Sequence, residues 1–285
     1  MIEGDTFQRF LLEELHIRGE WVRLSDSYQE ATKDLDYPKS LRSILGQATA
    51  ASVLLTGTLK FDGRLSIHAR GEGSVSLLMA EATNRRTYRG LVNWGGDIDP
   101  DASFVTLLGN AQLAITIDPD KGNRYQGVVP LEREHLADCL AHYFELSEQL
   151  DTFLMLDANE NGCFGLMLQK LPDYKNIEDQ DAWNRIVQFA KTLKIDEFKE
   201  TDNETLMLRL FHEEKVLSFD KEPVKFECSC SRERTLSSIE TLGEEDALEI
   251  LENTATIAVD CQFCRKHYEF DRADIVELFR LGSSH

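Results

Sequence analysis

Apolar positions along this 285-residue chain change their spacing several times, and each change predicts a different element. Phe7, Phe10, Leu11 and Leu15 recur at intervals of three and four, which predicts a short amphipathic helix ending before Arg18 and Gly19. Residues 19–24, with Trp21 and Val22, read as a strand, and Asp26 or Ser27 is placed to cap a second short helix. Residues 40–58 carry Ala, Leu and Ser on nearly every face, the pattern of a helix enclosed by close neighbours. From Leu59 the period drops to two. Residues 65–70, 74–81, 87–94, 111–117 and 125–129 are strand-length runs separated by Gly, Asn or Asp. A helical spacing returns over residues 131–149, where Leu136, Leu140, Tyr143 and Phe144 share one face. Residues 152–156 and 165–169, either side of a turn at 159–162, read as strands that close the sheet. Residues 1–171 are therefore expected to form an α+β core domain, a mostly antiparallel sheet packed by helices.

Pro172 marks a boundary. Beyond it, Trp183, Ile186, Val187, Ala190 and Leu193 recur at helical spacing, Phe189 and Phe198 widen the same face, and Leu206, Leu208, Leu210 and Phe211 extend the apolar content. A strand is predicted at 216–219. Residues 172–227 form a helical linker too apolar to be an inert tether: either a permanent cover on the core domain or one that undocks. Residues 228–285 predict short helices at 236–241 and 244–252, strands at 254–260 and 267–270, and a last helix that Asp271 and Asp274 cap, with Ile275, Val276 and Phe279 turned inward.

The last segment also holds the chemistry. Cys228 and Cys230 form C-x-C, and Cys261 and Cys264 form C-x-x-C after a thirty-residue spacer. Two close pairs joined by a longer loop supply four thiolates to one tetrahedral Zn2+, and four protein ligands leave no open position for hydrolysis. A unit this small lacks the core to stand alone, so its folding should depend on the metal. Arg232, Arg234, Arg265 and Lys266 flank the cysteines and would favour the thiolate form, which both binds metal and reacts with oxidants. Without metal, each pair would hold two thiols within reach of one another. His267 follows closely but is not needed by a complete tetrahedron. Cys139 and Cys163 lie apart in apolar contexts and read as small core residues.

Charge and motifs narrow the function. The formal net charge is −20, and residues 1–171, 172–227 and 228–285 are each net acidic, which opposes binding to nucleic acid or anionic membrane. The start of the chain lacks the basic and apolar regions of a secretory signal, and no apolar run is long enough to span a bilayer, so a cytoplasmic location is expected. No nucleophile elbow, phosphate loop or dinucleotide fingerprint is present, and His68 has no partner cluster near it in sequence; no enzyme is expected.

The segment Cys228-Ser-Cys-Ser-Arg-Glu-Arg234, with Cys261-Gln-Phe-Cys264 and His267-Tyr-Glu-Phe270, resembles the redox-regulated heat-shock chaperones of about 33 kilodaltons found in the bacterial cytoplasm. Residues 59–63 (LKFDG), 125–129 (YQGVV), 147–149 (SEQ) and 210–214 (LFHEE) stand in that family's order, so the resemblance covers nearly the whole chain; Gly109-Asn-Ala111 departs from its usual Gly-Asn-Gly. The resemblance implies an ATP-independent holdase that is inactive when reduced and zinc-bound. It implies that oxidation pairs Cys228 with Cys230 and Cys261 with Cys264, releases zinc and exposes linker residues such as Trp183, Ile186, Val187, Phe189 and Leu193 to unfolding client proteins. It further implies a homodimer on activation and transfer of clients to an ATP-driven foldase system. Two alternatives stay open on the residues alone: a thiol–disulfide oxidoreductase using C-x-x-C, and a zinc-stabilised interaction module.

Overall fold

Burying a helix on all sides requires two walls, and the chain supplies them as two six-stranded sheets. In the computed structural model, which describes residues 4–33, 35–172 and 179–282, the chain divides into two units, Met1–Glu227 and Cys228–His285. The first runs β1 (Thr6–Leu12), β2 (Ile17–Leu24), α1 (Asp26–Thr32), α2 (Lys39–Thr56), β3 (Gly63–Gly71), β4 (Val75–Thr83), β5 (Thr87–Trp94), α3 (Phe104–Leu108), β6 (Ala111–Pro119), β7 (Tyr125–Pro130) and α4 (Leu136–Tyr143). It continues through β8 (Thr152–Asn159), β9 (Gly162–Lys170), α5 (Ala182–Lys191), α6 (Ile195–Glu200), α7 (Asn203–Phe211), β10 (Val216–Ser218), β11 (Glu222–Pro223) and β12 (Lys225–Phe226).

One sheet has the order β10-β1-β2-β9-β8, with β11 also on β1; the other has β12-β5-β4-β3-β6-β7. All pairings are antiparallel except β12 on β5. Helix α2 packs against strands of both sheets, and its small residues set how closely they approach. A side chain at Gly46 would collide with Ala158, its Cβ only 2.3 Å from that methyl group. Phe7, Val22, Leu24, Leu54, Leu65, Ile67 and Met167 belong to this inner core.

The first sheet is buried on both faces, and this overturns the helix expected over residues 7–15. Phe7 points toward α2, whereas Phe10 and Leu12 join a second apolar cluster on the opposite face. With both alternate sets apolar, the period of two disappears from the sequence and a helical reading takes its place. Only Glu13–Leu15 is helical, as one 3-10 turn. On the neighbouring strand, Gly19 leaves room for the Phe10 ring, which a Cβ there would meet at 1.9 Å. The helix expected at 131–149 is also shorter: α4 passes into a π-helical turn at Phe144–Glu148. The departure at Ala111 is accommodated, since it opens β6 as an extended residue paired with Gly71. The turn at 159–162 joins β8 to β9 as expected.

The second unit contains α8 (Arg232–Ile239), a 3-10 turn at Glu240–Leu242, α9 (Glu244–Asn253), the hairpin β13 (Ile257–Asp260) and β14 (His267–Phe270), and α10 (Arg272–Gly282). Its buried core is Ile239, Ala247, Ile257, Tyr268, Phe270 and Ile275. Phe279 packs at its edge, but Val276 is exposed, contrary to the inward face expected of it. Asp271 accepts from the backbone N–H groups of Ala273 and Asp274, while Asp274 accepts from that of Asp271, a reciprocal cap at the start of α10. The architecture is the α+β class read from the sequence, antiparallel-rich sheets and helices with a four-cysteine cluster near the C-terminal end. Among the described residues, no helix is long and apolar enough to cross a membrane.

Candidate metal centre

Cys228 and Cys230 lie on the extended segment between β12 and α8, where Ser231 caps α8 by accepting from the Arg234 N–H at 3.2 Å. Cys261 and Cys264 occupy the turn of the β13–β14 hairpin. That turn is closed by Arg265 N–H donating to Cys261 O (2.8 Å) and Cys261 N–H donating to Lys266 O (3.0 Å). Arg265 takes the left-handed conformation, φ 56°, that lets the chain wrap around the two sulfurs.

The two segments bring four sulfur atoms within 4.8 Å of one another, each cysteine half-buried. Contacts cross between the pairs: Cys228 lies 3.6 Å from Cys261, and Cys230 lies 3.4 Å from Cys264. A tetrahedral zinc with Zn–S bonds of about 2.3 Å separates its sulfurs by about 3.8 Å. The cluster therefore fits a zinc ion in both donor type and spacing.

Electrostatics differ among the thiols. Burial raises Cys228 and Cys264 above the ordinary thiol range. Burial would also raise Cys230, but the Tyr268 hydroxyl donating to its sulfur at 3.2 Å, together with the neighbouring thiols, lowers it to about 7. Tyr268 was not anticipated as a neighbour of sulfur; its signal was its place two residues into a strand that leaves the C-x-x-C turn.

Three of the four flanking cations are engaged by other groups. Arg232 donates to Glu269 O and Asp274 Oδ2, both at 2.6 Å, and lies over the Phe270 ring. Arg234 donates to Ser229 O at 2.7 Å, Lys266 sits 5.3 Å from the Tyr268 ring centroid, and Arg265 is exposed. His267 stays out of the cluster, its ring nitrogens facing Asp260 at 2.7 Å and Glu269 at 3.2 Å. Cys139 and Cys163 are both buried in the inner core of the first unit.

The apolar linker residues meet on the outer face of the first sheet. Phe10, Leu12, Ile17, Trp21, Phe164, Leu166 and Leu168 are covered there by Ala182, Ile186, Ala190, Leu193, Phe198, Leu206, Met207, Leu210 and Phe211, with Trp183 and Phe189 packed at the margin. Val187 is half-buried without joining this cluster, and Leu208 is exposed. The strand expected at 216–219 is β10, and β11 and β12 extend the same segment onto both sheets. β11 and β12 escaped the sequence reading because strands of two residues carry no periodicity.

Residues 5–271 match the model of the family described as Hsp33 protein. The chain belongs to the Hsp33 family. Curated relatives named 33 kDa chaperonin include one from Hahella chejuensis, 47% identical with all of both chains covered. Another, from Ectopseudomonas mendocina, is 45% identical and covers 97% of this chain and 95% of its own. These Hsp33 relatives are named as chaperonins, not as enzymes. The crystal structure of the 33 kDa chaperonin from Thermotoga maritima, 21% identical, matches this fold with a TM-score of 0.83 over 99% of this chain and 100% of its own.

Proposed function

We propose that this protein is a redox-regulated, ATP-independent chaperone, a holdase held inactive while reduced and zinc-bound. The observation that carries this reading is the convergence of four half-buried thiols in a unit with a small core, within a chain of the Hsp33 family. Cys228, Cys230, Cys261 and Cys264 would hold Zn2+, which when bound supplies a tetrahedral crosslink and no catalytic position. Half-burial leaves the sulfurs within reach of small oxidants. Oxidation joins Cys228 to Cys230 and Cys261 to Cys264, consuming four thiols as ligands. The unit of residues 228–285 then loses the crosslink on which its folding depends.

Residues 172–227 are, on this reading, a metastable cover. Helices α5, α6 and α7 lie over an apolar sheet face that, once bare, would hold unfolding client proteins by hydrophobic contact. The acidic charge of the whole chain keeps the loaded molecule soluble and disfavours nucleic acid or anionic membrane as partners of this cytoplasmic holdase. Activation is accompanied by homodimer formation, and clients pass to an ATP-driven foldase system when reducing conditions return. An oxidoreductase reading is disfavoured because Cys261 and Cys264 sit in an antiparallel hairpin, without the βαβ setting of thioredoxin-like redox proteins.

The test is light scattering from a thermally aggregating client, with the protein either reduced and zinc-loaded or oxidised by hypochlorite. Suppression by the oxidised form alone is expected. Equal suppression by both forms would replace the switch with a constitutive holdase, and no suppression would remove the chaperone reading.

A further inference from the structure

One corner of the cover on the first sheet is polar. There three polar side chains, Gln8, Arg23 and Asn203, are each at most 3% exposed. Arg23, on β2, donates through Nε to Asn203 Oδ1 and through Nη2 to Thr201 O, both at 2.6 Å, and through Nη1 to Phe198 O. Its guanidinium also lies over the Phe198 ring, 5.3 Å from the centroid. Asn203 donates to Gln8 Oε1 at 2.9 Å, and Gln8 donates to Phe219 O at 3.1 Å. One side chain of the sheet thus holds the corner between α6 and α7, and a second ties in the segment that follows.

The carbonyls Arg23 binds are those a helix cannot satisfy for itself. Phe198 and Thr201 lie at the C-terminal end of α6, whose last oxygens have no partner within the helix. A helix of six residues does not persist alone in water. The cation completes α6 from outside and favours the negative end of its dipole.

The bonding is suited to release. Every hydrogen-bond acceptor around Arg23 is neutral, and Asp202 and Glu204 act on it only through space. A guanidinium buried among neutral acceptors gains little net stability over water, yet removing it strands several buried oxygens at once. Such a contact fixes where the cover sits without welding it there.

We propose that Arg23, with Asn203 and Gln8, is the latch that keeps residues 182–219 docked and sets how readily they leave the sheet. The inference rests on the reading that this segment undocks on activation, and it names the residue that restrains it. Arg23 acts here as a positioning residue, remote in sequence from the thiols.

The experiment uses the full chain, reduced and zinc-loaded, and follows amide hydrogen exchange by mass spectrometry for wild type, Arg23→Gln and Asn203→Leu. Exchange over α6 and α7 is expected to rise at least tenfold in both variants, with β3 to β6 and the zinc content unchanged. Unchanged exchange over α6 and α7 in both variants would overturn the latch. If Arg23→Gln also loosens β3 to β6, Asn203→Leu decides, because it cuts the contact from the cover's side. Loss of protection throughout the first unit in that variant too would make the cluster a general structural element and overturn the proposal. Oxidised wild type separates the two ideas: if its α6 and α7 stay protected, undocking itself fails, whatever the variants do.

Discussion

Glu20 is completely enclosed between β2 and the end of α2, and one of its oxygens, Oε2, finds no hydrogen-bond partner among the described residues. Burial drives its carboxyl up to about 7, against the pull of Arg18, Arg86 and Arg9. The folded pKa lies above the unfolded one, so the native state holds a proton that the unfolded chain gives up. Stability from this group is therefore present below about pH 4.5 and falls as pH rises toward 7, by about 3 kcal/mol in all. Glu20→Gln removes that dependence. Calorimetry should show the variant melting several degrees above wild type at pH 8 and close to it at pH 5; a pH-independent difference would assign the effect to packing alone. Such residues differ sharply in how visible they are in sequence. The four cysteines are legible because each pair is local and sulfur has few structural uses at that spacing. Arg23 and Asn203 are not, since 180 positions separate them and nothing local marks either one.

At the scale of elements, the hairpin of β13 and β14 shows how little holds the second unit together. Its strands are four residues each, and the turn between them carries Cys261 and Cys264. Replacing both by Ser should abolish zinc retention through gel filtration, measured by metal analysis, and should broaden the amide spectrum of residues 228–282. Stoichiometric zinc in that variant would sink the ligation. Elements with one exposed face were readable: β3 to β6 alternate, and the period of two survives in the sequence. Among the elements covered on both sides, β2, β9 and α2 were still read correctly, but β1 lost its period of two and imitated a helix. The short strands β11 and β12 were invisible for another reason, being defined by partners rather than by pattern. Yet Val224 between them is buried, and Glu222 reaches Arg86 at 2.9 Å, so this strap is firmly seated a few residues before Cys228.

At the scale of the molecule, the charge of −20 sets the terms of self-association. Two copies repel at long range, and salt screens that repulsion within about 10 Å at 0.1 M. If the oxidised form dimerises as proposed, its dissociation constant by sedimentation should tighten severalfold between 20 and about 200 mM salt. An oxidised form that stays monomeric at every salt concentration would remove the dimer from the mechanism. The crossing of the sulfur contacts carries a topological consequence. The sulfurs in contact across the pairs, Cys228 with Cys261 and Cys230 with Cys264, are 33 and 34 positions apart, so a crosslink among all four closes loops that span most of the unit. Bridges within each pair close loops of three or four residues. By loop-closure entropy the long ring restrains the unfolded chain by about 2 kcal/mol more than a short one. The same four atoms can therefore fasten the whole unit or fasten only themselves, and the proposed oxidation would exchange the first wiring for the second.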